Sequence, residues 1–172
     1  MKKTVFLIGI LVCLCLNFYS CKKQAPQLPS NKGIVKDESS ASLAKINHRL
    51  AIKEDSIIKI YAESKKVFKK NEIGFWYKIS GVGNGAIIKD SVTCKFSGKL
   101  MLLNGKILEK SVKQITIGKK ETIVGLEEGL KLMRKGDSAT FIIPWYLGYG
   151  MIGKDKLVPP FTSIVYEIKV LN

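Results

Sequence analysis

The chain reads as an α+β domain in which an antiparallel sheet wraps on one short helix. Three observations predict it. Short β-branched or alternating runs recur from Phe75 to the C-terminus, with Gly, Asn and Pro between them. One short helical start, Ile123–Leu130, interrupts those runs. Ahead of them lies a stretch with helix-like apolar spacing and no Gly or Pro, Ala41 to Lys70. The 172 residues are enough for one ordinary domain plus extensions. They divide into a leader (1–20), a linker (21–40), a helical extension (41–70) and the sheet domain (71–172).

Composition narrows the class. An apolar fraction of 46% excludes wholesale disorder. A formal charge of +15 fits polyanion partners or a solvated lysine-rich surface. The second reading is preferred and no nucleic-acid role is expected. Arg49 and Arg134 are the only arginines, phosphate and base recognition favours Arg, and the excess charge is spread along the chain. The four cysteines are Cys13, Cys15, Cys21 and Cys94, and none has metal-ligand spacing with a second pair or a histidine. His48, on the helical stretch, reads as a surface residue. No metal and no cofactor are expected.

The N-terminus carries a positive Lys2-Lys3 and then an apolar run, Val5 to Tyr19. A run of about 15 residues is short for a spanning helix, which needs ~20. It ends at Ser20-Cys21, the form of a bacterial lipoprotein signal in which Cys21 is acylated and becomes the new terminus. Phe18 and Tyr19 depart from the usual lipobox, a looseness that fits lipoproteins of the Bacteroidetes group. A plain signal peptide or an uncleaved anchor are the alternatives. Lipidation ranks first because polar Lys22-Lys23-Gln24 follows at once. Acyl chains would supply membrane affinity and the lysines attraction to anionic headgroups. The expected location is the cell envelope, facing the periplasm, with Cys94 the one thiol left in the sheet domain.

Ala25 to Ser40, with Pro26, Pro29 and Gly33, reads as a flexible tether. In the helical stretch Leu43, Ile46, Leu50, Ile57, Ile58, Tyr61 and Phe68 recur at helix-like spacing. Such a helix can pack on the folded domain, pair with a second copy or serve as a stalk, and the oligomeric state stays open. Asn71-Glu72-Ile73-Gly74 breaks it. Phe75–Ile79 is a strand by its aromatic and β-branched content, and Gly81–Gly85 a turn-rich loop. In Val92–Gly98 the alternation places Val92, Cys94 and Phe96 on one face, so Cys94 reads as an inert core residue. Asn104-Gly105 is a hairpin signal between Lys99–Leu103 and Lys106–Leu108. Gln114–Ile117, Ser138–Pro144 and Ile164–Leu171 supply further strands, and Lys135-Gly136-Asp137 a tight turn. An aromatic loop around Trp145 and Tyr146 is either solvent rim or a substrate-facing lip.

Six motifs in register then stand out: Phe96-Ser97-Gly98; Asn104-Gly105 with Leu108-Glu109; Gly118 through Gly125-Leu-Glu-Glu-Gly129; Lys135-Gly136-Asp137; Leu147-Gly148-Tyr149-Gly150; and Val158-Pro159-Pro160. Over residues 74–172 their order and spacing resemble the FKBP family of peptidyl-prolyl cis-trans isomerases. With the lipoprotein head, lysine-rich helix and Gly74-Phe-Trp-Tyr entry, the chain is similar to the gliding-motility-associated FKBP lipoproteins. The resemblance implies a pocket for proline-containing polypeptides. In it Phe96, Leu108, Val158 and Tyr166 would form apolar wall, and Leu126 the floor. The backbone of Thr122 and Ile123 would bind substrate carbonyls, Tyr149 would donate a hydrogen bond, and Glu109 would be the pocket carboxylate. Tyr149 and Glu109 are the catalytic candidates. Leu108 and Leu126 stand where larger rings are usual, which implies a looser, less aromatic pocket. Glu127 and Glu128 suit the start of the helix and are not expected to be catalytic. The implied function is a membrane-anchored isomerase that assists folding of exported envelope proteins, those of a gliding machinery among them. The alternative is a binding or chaperone module on the same scaffold with little turnover.

Overall fold

The computed structural model describes residues 32–171, with side chains from Ser40. The predicted signal 1–20, the acylated Cys21 and the linker up to Asn31 lie outside the described residues. The chain divides into two units, Met1–Leu43 and Ala44–Asn172. Of the first, only helix from Lys32 onward is described.

The first helix, α1, spans Lys32–Ser64, which corrects both ends of the predicted 41–70. Pro29 is the last proline before it, and the single Gly33 costs only ~1 kcal/mol in a helix, so nothing stops the helix from starting earlier. It ends early because Lys66 takes a left-handed φ of 53°, a conformation that composition does not announce for lysine. Lys69–Lys70 then form a two-residue strand, β1.

Five longer elements complete the sheet domain with one short helix. They are β2 (Trp76–Gly81), β3 (Thr93–Leu102), β4 (Ile107–Thr116), β5 (Ser138–Ile143) and β6 (Ile164–Val170). The helix, α2, spans Val124–Leu130. The strand order is β1-β2-β5-β6-β3-β4 and every pairing is antiparallel. The expected pieces Lys106–Leu108 and Gln114–Ile117 are one ten-residue strand. Residues 109–113, Glu-Lys-Ser-Val-Lys, show no apolar alternation because β4 is an edge strand with side chains largely toward solvent. Its register comes instead from the hairpin and from β3, from Thr93 opposite Thr116 to Met101 opposite Ile107.

The two faces of the sheet are covered differently. On the inner face Cys94, Phe96 and Leu100 of β3 are buried with Phe141, Ile143, Tyr166 and Ile168, beneath Leu126 and Leu130 of α2. Two glycines let α2 approach this closely. A Cβ on Gly125 would lie 2.5 Å from Ile143 Cγ2, and one on Gly129 2.7 Å from Phe141 Cε1. On the outer face Ile58 and Ala62 of α1 form a second core with Ile142 and Val165, flanked by Tyr61, Phe68, Trp76 and Met101. The end of α1 therefore packs on the sheet. The apolar spacing read as one stripe is two: Ile58 is buried, while Ile46, Leu50 and Ile57 are exposed. Adjacent residues such as Ile57 and Ile58 point about 100° apart on a helix.

Candidate functional site

The site is built on one rung of the inner face. Leu100 of β3 lies opposite Tyr166 on one side and Glu109 on the other, and Tyr166 lies opposite Phe141. A register shift in β4 sits here: Leu100 faces Glu109 while Met101 faces Ile107, so Leu108 is an extra residue. A bulge of this kind re-aims neighbouring side chains. Glu109, Ser111 and Lys113 then follow at alternate positions on one face of β4.

These three side chains are joined. Glu109 Oε1 accepts from Ser111 Oγ at 2.8 Å and pairs with Lys113 Nζ at 3.0 Å. Its other oxygen, Oε2, accepts from Lys154 Nζ at 2.8 Å. The Lys154 ammonium, then Lys113 and Ser111, hold the carboxyl down to about 2. The Lys154 ammonium also lies 5.6 Å from the centre of the Tyr149 ring. Lys154 therefore links the loop after Tyr149 to the edge strand.

Tyr149 is placed by an aromatic turn. After β5, residues Trp145–Leu147 make one 3-10 turn. Trp145 is buried against Phe161 and Tyr146, with ring centres 5.1 and 5.7 Å away, and its amide donates to Ser163 Oγ at 3.2 Å. Tyr146 Oη donates to Asp55 Oδ1 of α1 at 2.7 Å. Neither residue is a substrate-facing lip: Trp145 packs inward and Tyr146 reaches to α1. Tyr149 itself is half-buried, and burial pushes its hydroxyl above the usual tyrosine range. No described residue hydrogen-bonds that hydroxyl.

Opposite stands the turn into α2. Ile123, extended at φ −67° and ψ 148°, precedes the helix, and its carbonyl accepts from the Leu126 and Glu127 amides. No described residue accepts from the Ile123 amide. The preceding loop is held by Glu127, buried, whose Oε1 accepts from the Gly118 amide at 2.7 Å. Tyr149, Thr122, Ile123, Lys113, Lys120 and Lys154 line one open hollow of about 500 Å³. The core against which Ile123 and Tyr149 pack includes Phe96, Leu126, Val158 and Tyr166, each no more than 1% exposed. Leu126 is buried in the core, whereas Leu108, at the bulge, is only partly buried. A larger hollow, about 800 Å³, lies on the outer face among Ser97, Lys99, Thr140 and Lys169. It holds none of the expected site residues.

Of the expected site residues, Thr122, Ile123 and Tyr149 line this hollow, Leu108, Ile123 and Tyr149 pack against the inner core that holds Phe96, Leu126, Val158 and Tyr166, and Glu109 is joined to the rim through Lys113 and Lys154. Two contributors had no sequence signal, Lys154 and Asp55, because each acts across a long separation in sequence. Asp137 was foreseen only as a turn residue. Its buried carboxylate accepts from the Gly83 and Arg134 amides and so ties the loop before β3 to the start of β5. Cys94 is buried and its thiol pushed up by that burial, as a core residue requires.

Comparison with known proteins agrees with this geometry. The chain spans about half the length of the curated relatives it matches. It is 35% identical over 117 residues to a probable FKBP-type peptidyl-prolyl cis-trans isomerase of Haemophilus influenzae, covering 65% of this chain and 47% of that one. It is 31% identical over 96 residues to the human inactive peptidyl-prolyl cis-trans isomerase FKBP6, covering 54% of this chain and 29% of that one. The fold is similar to the crystal structure of a peptidyl-prolyl cis-trans isomerase from Pseudomonas syringae pv. tomato, with a TM-score of 0.63 at 23% identity, over 71% of this chain and 92% of that one. A family model described as FKBP-type peptidyl-prolyl cis-trans isomerase matches residues 83–171, more than half of the chain. The chain belongs to the FKBP-type peptidyl-prolyl cis-trans isomerase family.

Proposed function

We propose that the chain is a peptidyl-prolyl cis-trans isomerase, exported, anchored in the membrane through acylated Cys21, and assisting the folding of envelope proteins, those of a gliding machinery among them. The observation that carries the catalytic part is the pairing of two free donors beside a buried apolar core. The Tyr149 hydroxyl and the Ile123 amide have no partner among the described residues, the two residues line the same hollow, and both pack against the buried core of Phe96, Leu126, Val158 and Tyr166.

Rotation about an X–Pro bond crosses a barrier of ~20 kcal/mol set by amide resonance. No nucleophile or metal is required. In the twisted amide the carbonyl and nitrogen are uncoupled, and the group is less polar than the planar form. A floor that excludes water favours the twisted state over the planar one. The Ile123 amide and the Tyr149 hydroxyl would hold the flanking carbonyls while the proline ring turns. Slow X–Pro isomerisation limits the folding of many proteins, which gives the activity its use.

Catalysed refolding of a proline-limited protein tests this reading, and no acceleration by the chain would overturn it. Anchoring rests on the Lys2-Lys3, Val5–Tyr19 and Ser20-Cys21 pattern. It predicts fatty-acid labelling in cells that Cys21→Ala abolishes. A deletion strain that spreads normally on a surface would remove the motility role.

A second reading, a binding or chaperone module with little turnover, is favoured by leucines at 108 and 126, where larger rings are usual in the family, and by the likeness to a relative named inactive. Complementation of a deletion strain by Tyr149→Phe would select it only where that variant's turnover is also brought to nothing measurable, as a tenfold loss alone leaves isomerisation in play.

A further inference from the structure

The hollow at Tyr149 carries more cations than carboxylates free to answer them. Lys113, Lys120 and Lys154 line it, against one acid, Glu121. Glu121 Oε2 is already committed to the Thr116 amide at 2.8 Å. Behind the rim a single carboxylate, Glu109, serves both Lys113 and Lys154. Lys120, held at a left-handed φ of 55°, has no ion-pair partner among the described residues. Lys154 moreover stands between the Tyr149 ring and Glu109. A peptide bound in the hollow that Tyr149 and Lys154 line would meet this ammonium.

We infer that this groove selects prolines flanked by acidic residues, with Lys154 exchanging Glu109 for a carboxylate of the entering peptide. The inference rests on the isomerase reading of the same groove. The exchange leaves no buried charge unpaired. Glu109 keeps Lys113 and Ser111 when Lys154 swings away, and Lys154 finds a new carboxylate. A neutral neighbour of the proline would leave the displaced ammonium unanswered, and a lysine neighbour would add repulsion from Lys113 and Lys120. Because the pairs are only partly screened from water, the preference is modest and depends on salt.

The test uses the full chain and three peptides, Ala-Glu-Pro-Glu, Ala-Gln-Pro-Gln and Ala-Lys-Pro-Lys, with cis–trans exchange read by NMR and binding measured in parallel. In low salt the Glu peptide is expected to exceed the Gln peptide in kcat/KM by about threefold to tenfold, from ion pairs of ordinary surface strength, and the Lys peptide to fall below both. The ratio moves toward one at high salt and in Lys154→Gln, whereas Lys156→Gln, exposed and outside the groove, preserves it. Equal Glu and Gln values at low salt, or a ratio untouched by Lys154→Gln, would overturn the inference. Absence of exchange with every peptide, together with tighter binding of the Glu peptide, would overturn the isomerase reading alone and support the acidic preference. Absence of exchange with equal binding would overturn both.

Discussion

At Glu109 three donors converge on one carboxylate, and this makes its protonation a reporter of the whole rim. Its pKa is depressed from the ordinary 4.5 to about 2 by Lys154 first, then Lys113 and Ser111. The unfolded chain therefore binds this proton at a higher pH than the folded one. The stability it contributes is present above about 4.5 and is lost as pH falls toward about 2. Glu109→Gln is expected to flatten that part of a stability–pH curve measured by urea unfolding between those values, and an unchanged acid slope would show the three contacts to be idle. Tyr149 gives a second prediction at this scale. Its hydroxyl has no partner to lose, so Tyr149→Phe should leave the melting temperature nearly unchanged. It should lower kcat/KM by roughly tenfold, the value of one hydrogen bond of ~1.4 kcal/mol made in the transition state. At the residue scale the sequence was readable where a motif fixes the position, as with Tyr149 between Gly148 and Gly150. It was silent about Lys154, whose role depends on a loop folding back over β4, 45 residues away from Glu109 in the chain.

The elements were legible to the degree that their own side chains are sorted by burial. Alternation in β3 is clear because Cys94, Phe96 and Leu100 face a core while Lys95, Ser97 and Lys99 face outward. The edge strand β4 lacks that contrast, and its middle went unread. The limits of α1 were hidden for a different reason, since a left-handed lysine leaves no mark in composition. For α2 the informative residues are its glycines, four apart and therefore on one side of the helix. Gly129→Ala would place a methyl group 2.7 Å from Phe141 Cε1, 2.9 Å from Cδ1 and 3.0 Å from Cζ. The ring is fully buried and edge-on to Phe75 at 6.0 Å, so it has little room to move. A loss of ~1–3 kcal/mol is expected from overpacking, against a small gain in helix propensity. Denaturant unfolding of Gly129→Ala measures it, and a neutral or stabilising result would mean that α2 can lift from β5.

Two cores share one sheet, and this sets what the molecule tolerates as a whole. The inner core is enclosed by the domain's own α2, whereas the outer one depends on Ile58 and Ala62 from α1. The family match begins at Gly83 and includes neither of those residues. A fragment limited to residues 71–172 would keep every pocket residue and yet bare Trp76, Met101, Ile142 and Val165 on one continuous outer patch. It would also release the Tyr146 hydroxyl from Asp55, three residues before Tyr149. Removal of Ile58 alone, as Ile58→Ala, should cost ~2–5 kcal/mol by cavity formation, and deletion of the helix should cost more. For a domain near 100 residues each kcal/mol shifts the melting temperature by roughly 4–8 °C. The fragment is therefore expected to melt at least about 8 °C lower than the chain that keeps α1, and to self-associate through the bared patch in light scattering. Asp55→Asn in the full chain separates the two effects. It keeps Ile58 and Ala62 in place, so it should preserve the melting temperature to within a few degrees while weakening only the Tyr146 contact and the exposed pair with Lys70. If the fragment and the full chain melt together, α1 is a tether that happens to lie on the sheet. If only the fragment falls, the helix is part of the fold, and the unit that carries the site is Ala44–Asn172 rather than the family domain alone.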